Sequence, residues 1–135
     1  MIGIDTNILL RFITRDDQLQ ADLAKSLIVQ YIGKPSSILI NDVVLSELCW
    51  VLKTGYKYKT KKIAEVLHAL LGAEEFTFLN PNIILEVTIM YEEKKGDFAD
   101  YLISATNKQE SCLCTYSFDQ KAINNKIFKK IDPQN

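Results

Sequence analysis

Five acids stand where they could do chemistry: Asp5 in I-D-T-N, Glu47 in L-S-E-L, Asp97 and Asp100 in G-D-F-A-D, and Asp119 in S-F-D-Q. Glu47 has Val43, Val44, Trp50 and Val51 three and four positions away, so a helix would turn its carboxylate toward an apolar face and not toward water. Such an acid either snorkels out at the edge of the stripe or takes a partner, and a metal ion is a natural one. Asp97 and Asp100 lie three apart at a helix start and can aim from the first turn at one ligand. The competing reading makes them a capping pair, Asp97 as N-cap with Asp100 as the acid three residues on. Asp5 can equally be a turn residue ahead of a helix, with Thr6 or Asn7 as the cap, and Asp119 a cap for the helix that follows.

Two carboxylates about 5 Å apart repel by roughly 3 kcal/mol at an effective dielectric of 20, a cost that a divalent cation offsets. All-oxygen donors select Mg²⁺ or Mn²⁺ over zinc. A site of that kind supports phosphoryl transfer, by activating a water and neutralising charge on the phosphate. His68 is the only histidine, which excludes paired-histidine zinc motifs and leaves the work to carboxylates. Cys49, Cys112 and Cys114 are odd in number, and the last two form C-x-C inside an apolar run, so no disulfide framework is implied.

These acids need elements to carry them. Ile2–Ile4, Ser37–Ile40, Phe76–Leu79 and the apolar run Cys112–Thr115 read as strands. Helices are expected over Asn7–Phe12, from Asp16 or Asp17 through Leu19, Leu23, Leu27 and Ile28, from an Asn41 cap to Gly55, and from a Thr60 cap to Gly72. Another runs from Asn80-Pro81 toward Gly96, one spans Phe98–Gln109, and a short one follows Phe118. Strands alternating with helices predict an α/β domain with a mainly parallel central sheet and helices on both faces. Sites in such folds gather beyond the carboxyl ends of strands, where Asp5 and Asp119 would lie. Trp50, Tyr91, Phe76 and Phe78 are expected in the core.

With 135 residues the chain is long enough for one domain with a single core. Sixteen basic against 17 acidic residues give a formal charge of −1, so any nucleic-acid contact must come from a local patch. Met1-Ile2-Gly3-Ile4 is cut off by Asp5, too short for a signal core, and no later stretch is long enough to span a bilayer. A cytosolic protein is expected.

The opening M-I-G-I-D-T-N-I-L-L-R-F, the acid in V-L-S-E-L-C-W-V-L, the block D-F-A-D-Y-L-I-S-A and T-Y-S-F-D-Q-K-A resemble, in order and spacing, PIN-domain proteins of the VapC toxin type. The resemblance covers nearly the whole chain, as a single PIN domain over 1–135. It implies an Mg²⁺- or Mn²⁺-dependent endoribonuclease, commonly dimeric and inhibited by a cognate antitoxin. Asp5, Glu47 and Asp100 match the first three acids of the family, Asp97 is an additional one, and Asn7 and Thr115 match supporting polar positions. Ser117 stands where many members carry asparagine or aspartate, and Asp119 lies two residues beyond as the fourth acid.

Lys53, Lys57, Lys59, Lys61 and Lys62 cluster with Tyr56 and Tyr58 between two helices. Lysines neutralise phosphates and tyrosines stack bases, which suits a single-stranded RNA; a solvated connection is the plain alternative, and the resemblance adds a dimer contact. Two other functions share the acids. A binding module would keep the fold and hold RNA or an antitoxin arginine without cutting, and a phospho-accepting receiver domain would need an aspartate at the end of a middle strand, where this chain has Asn41-Asp42 and Asn80-Pro81.

Overall fold

A computed structural model describes residues 1–133, which fall into two compact units, Met1–Pro81 and Asn82 onward. The first holds β1 (Ile2–Gly3), α1 (Thr6–Thr14), α2 (Gln18–Val29), β2 (Ile38–Ile40), α3 (Asp42–Thr54), α4 (Thr60–Gly72) and β3 (Phe76–Phe78). Its strands pair in parallel in the order β1-β2-β3, with Ile2 beside Ile38 and Ile38 beside Phe76. Parallel neighbours cannot be joined by a tight turn, and here two helices bridge each successive pair.

Local chemistry sets the helix starts. Asp17 Oδ1 accepts from the Gln20 amide at 3.0 Å and Asn41 Oδ1 from the Val44 amide at 3.0 Å, each satisfying an amide that the first turn leaves unpaired. The core of this unit comes from Leu9 on α1, Leu45, Leu48 and Leu52 on α3, Ile63 and Leu67 on α4, and Ile38 and Ile40 on β2. Each such side chain contributes about 1.5–3 kcal/mol on burial.

Three expectations for this unit are corrected. α2 buries Ala21, Ala24 and Ile28, while Leu19 and Leu23 face solvent, because the small alanines let α2 lie against α1. Trp50 is 68% exposed, since α3 turns Val44, Leu45, Leu48, Cys49 and Leu52 inward and leaves Val43 and Trp50 outside that stripe. Thr60 is the first helical residue of α4; Lys59 takes the N-cap place without a side-chain bond.

The second unit carries α5 (Pro81–Glu93, opening on the last residue of the first), α6 (Phe98–Gln109) and α7 (Gln120–Asn124). Tyr91 of α5 meets Phe98 of α6 edge to face at 5.8 Å, with Ile84 and Val87 buried on the same helix as Tyr91. The strand expected at Cys112–Thr115 is absent. Ser111, at φ 71, turns the chain out of α6, and Cys112, Leu113 and Cys114 are exposed. A strand exists through its ladder, and the bridge here lies just past the segment, Tyr116 to Lys129, with the Lys129 amide donating to the Thr115 carbonyl at 2.8 Å. No helix among the described residues is long and apolar enough to cross a membrane.

Candidate functional site

In the first unit the carboxyl end of β1 delivers Asp5 directly into the start of α1. Asp5 is itself the N-cap: its Oδ1 accepts from the Asn7 amide at 3.1 Å and the Ile8 amide at 3.3 Å. The next residue, Thr6, is buried and donates its hydroxyl to Glu47 Oε1 at 3.1 Å. One short segment therefore carries one acid and orients another that is 42 residues away in the chain, Asp5 to Glu47. Glu47 is exposed, contrary to the core-facing placement its neighbours suggest, because Val43 and Trp50 share its outer side of α3. Asn7 is exposed beside Asp5. Thr6 and Asn7, the cap candidates in the sequence, lie inside α1 instead, and Thr6 serves to orient Glu47. Sequence reasoning missed Asp42, the first residue of α3, which has a buried Oδ1 without a hydrogen bond and a carboxyl pushed up by that burial.

In the second unit three acids surround the start of α6. Asp97 holds the N-cap place but makes no side-chain cap bond, so the capping-box alternative is not realised; its Oδ1 lies 3.6 Å from Lys121 Nζ instead. Asp100 is half-buried in the first turn. Burial raises its pKa above the ordinary carboxylate value, the charges of Asp97 and Asp119 raise it further, and Lys121 pulls the other way. Asp119 is exposed and caps α7, accepting from the Ala122 amide at 3.1 Å, and its own amide donates to Ser117 Oγ at 2.9 Å. Thr115 Oγ1 accepts from Asn107 Nδ2 at 3.0 Å. Lys121, two residues after Asp119, is the member of this group that sequence reasoning missed.

The structure thus brings together Asp5, Thr6 and Glu47 in one unit and Asp97, Asp100, Asp119 and Lys121 in the other. Among the described residues no group of three or more His, Cys, Asp and Glu side chains is set as a metal cage, so each set is taken within its own unit. The donors are oxygens throughout, and Asp100 is a half-buried carboxyl whose charged form two neighbouring carboxylates disfavour. Both properties fit a hard divalent cation.

Of the lysine-rich stretch, Lys62 Nζ sits 3.9 Å from the centre of the Tyr58 ring, and Tyr58 meets Tyr56 edge on at 6.3 Å. Lys57 occupies the left-handed region at φ 58, which bends the segment between α3 and α4. Lys57, Lys59, Lys61 and Lys62 are exposed and Lys53 is half-buried.

Sequence comparison places this arrangement among known proteins. Over 128 residues the chain is 26% identical to a VapC ribonuclease of Aquifex aeolicus (strain VF5), covering 95% of this chain and 90% of that protein. The pattern of the PIN domain family matches residues 2–128, a span that takes in all five acids, and the chain belongs to the PIN domain family.

Proposed function

We propose that the chain is an RNA-cleaving hydrolase of the VapC toxin type, a single PIN domain over 1–135 that works with Mg²⁺ or Mn²⁺. The observation that carries the reading is Asp100, held half-buried among Asp97, Asp119 and Lys121 at the start of α6. The family match over residues 2–128 and the ribonuclease relative support it. The acids that would serve as oxygen ligands for metal are Asp5 and Glu47 in the first unit and Asp100 and Asp119 in the second, with Asp97 as an additional acid. When bound, a divalent cation activates a water and offsets charge on the phosphate.

The chain's own residues do the rest. Thr6 fixes the Glu47 carboxylate through its hydroxyl, Ser117 fixes the Asp119 backbone, and Asn107 fixes Thr115. Asn7 is a polar neighbour of Asp5. Lys53, Lys57, Lys59, Lys61 and Lys62 attract the RNA backbone, and Tyr56 and Tyr58 offer ring faces to bases. The remaining parts of the proposal are neutralisation by a cognate antitoxin, a homodimeric state and action in the cytoplasm.

The test is cleavage of RNA by the wild type and by Asp5→Asn, with Mn²⁺ binding followed by titration calorimetry. Metal-dependent cleavage lost in the variant supports the reading. Equal cleavage by both, or no Mn²⁺ binding at millimolar concentration, refutes it.

A further inference from the structure

The corner between α1 and α2 holds a groove of about 530 Å³ within the first unit, with Asp5 and Asn7 in its lining, Arg11 and Gln20 as further polar groups, and Leu23 and Leu27 as an apolar wall. Leu23 is 62% exposed, an apolar surface that the fold leaves uncovered. Arg11 is fixed in place by α2 and by the connections that follow α1 and α3. Its Nη1 donates to Asp16 Oδ1 at 3.0 Å and to Tyr56 Oη at 3.2 Å, and its Nε donates to Gln20 Oε1 at 2.6 Å. Asp16 is saturated in turn by the Tyr56 hydroxyl at 2.6 Å and the Thr14 hydroxyl at 3.0 Å.

Two consequences follow for what the groove can hold. The charge of Arg11 is already matched by Asp16, so it draws a phosphate weakly; what remains is a rigid, planar donor group. Nη2 makes no hydrogen bond among the described residues. Gln20 has committed its carbonyl to Arg11 and keeps its amide nitrogen as a donor. Two uncommitted donors lining a groove with an apolar wall match a flat ring with an acceptor-only edge. Among RNA bases, the O6 and N7 edge of guanine presents two acceptors and no donor, whereas adenine sets an amino donor beside its N7.

We infer that this groove is a base-reading subsite that seats a guanine of single-stranded RNA beside Asp5, with Arg11 and Gln20 as the specificity-determining residues and Leu23 and Leu27 against the ring. The assignment rests on the RNA-nuclease reading above. It is tested on the full chain in metal-free buffer by fluorescence anisotropy, using short oligouridylates that carry one central guanine, adenine or cytosine over a range of salt concentrations. The wild type should hold the guanine oligomer about tenfold more tightly. Arg11→Lys keeps the charge but loses the Nη2 donor, and Gln20→Ala trims an exposed side chain. Each should erase most of that preference while leaving the slope of log affinity against log salt unchanged.

If the preference persists in Arg11→Lys and Gln20→Ala the inference falls, and an Arg11→Gln variant that lowers the slope by about one while keeping the preference marks Arg11 as a phosphate contact and overturns it likewise. A wild type without base preference also overturns it, as do variants that bind RNA normally yet release a co-expressed protein partner. An enzyme that cuts RNA without preference sinks this inference alone, whereas one that neither binds nor cuts RNA sinks the nuclease reading with it. Should Arg11→Lys fail to fold, Gln20→Ala decides.

Discussion

Replacing Gly96 by alanine should be among the most damaging single-atom additions to this chain. Gly96 has φ +136, a region that L side chains rarely adopt, so the backbone alone costs about 1–3 kcal/mol. An added Cβ would also lie 2.6 Å from Ile127 Cδ1 and 2.9 Å from Tyr101 Cε2. The two contacts differ in kind. Cδ1 is the free end of a rotatable chain and can swing away, whereas the Tyr101 ring is tethered by its hydroxyl, which donates to the Lys95 carbonyl. Displacing that ring adds about 1 kcal/mol for a strained hydrogen bond. The total, about 3 kcal/mol, lowers the melting temperature by roughly 10–15 °C in a protein of this size. Thermal unfolding followed by circular dichroism reads this directly. Adding Ile127→Val removes the nearest atom and should recover only a small part, because the backbone cost persists. A Gly96→Ala protein that melts within about 2 °C of the parent, or one fully restored by Ile127→Val, would refute the argument.

Further outcomes are expected. Thr6→Val removes the hydroxyl that orients Glu47 and should leave stability within about 1 kcal/mol while lowering Mn²⁺ affinity about tenfold, measured by calorimetry. The raised pKa of Asp100 means that its charged form costs folding stability; the cost is absent below the ordinary carboxylate range and grows as pH rises past it. Asp100→Asn should therefore raise the melting temperature near pH 7 without metal, leave it unchanged near about pH 3, and abolish RNA cleavage. Thiol labelling of the native protein should modify Cys112 and Cys114 quickly and Cys49 only on unfolding. Cys49 is buried, and that burial pushes its thiol well above the ordinary range.

The helices were legible because their punctuation is local. Asp17, Asn41 and Pro81 announce starts that the structure realises within a residue, and Phe98–Gln109 is recovered in full. The acids were legible by type, but the faces they occupy were not. Apolar neighbours of Glu47 predicted burial, yet α3 has more apolar positions than its inward stripe needs, and Val43 and Trp50 are the surplus. Leu19 and Leu23 misled in the same way, since alanines, weak signals by hydrophobicity, make the closer packing. Cys112–Thr115 reads as a strand by composition, and pairing is a property of the partner, which no window of sequence contains. Thr6 was legible only as a possible cap and Lys121 not at all, because their roles depend on contacts across turns of chain.

Asp5 serves two masters, holding the first turn of α1 through Oδ1 while carrying the charge proposed to bind metal. Its side-chain length is thereby constrained as tightly as its sign. Glutamate would keep the charge yet reach past the Asn7 and Ile8 amides, and asparagine would keep the cap while discarding the charge. One isosteric and one charge-conserving exchange at this position can thus separate the scaffold from the chemistry, which truncation to alanine would conflate.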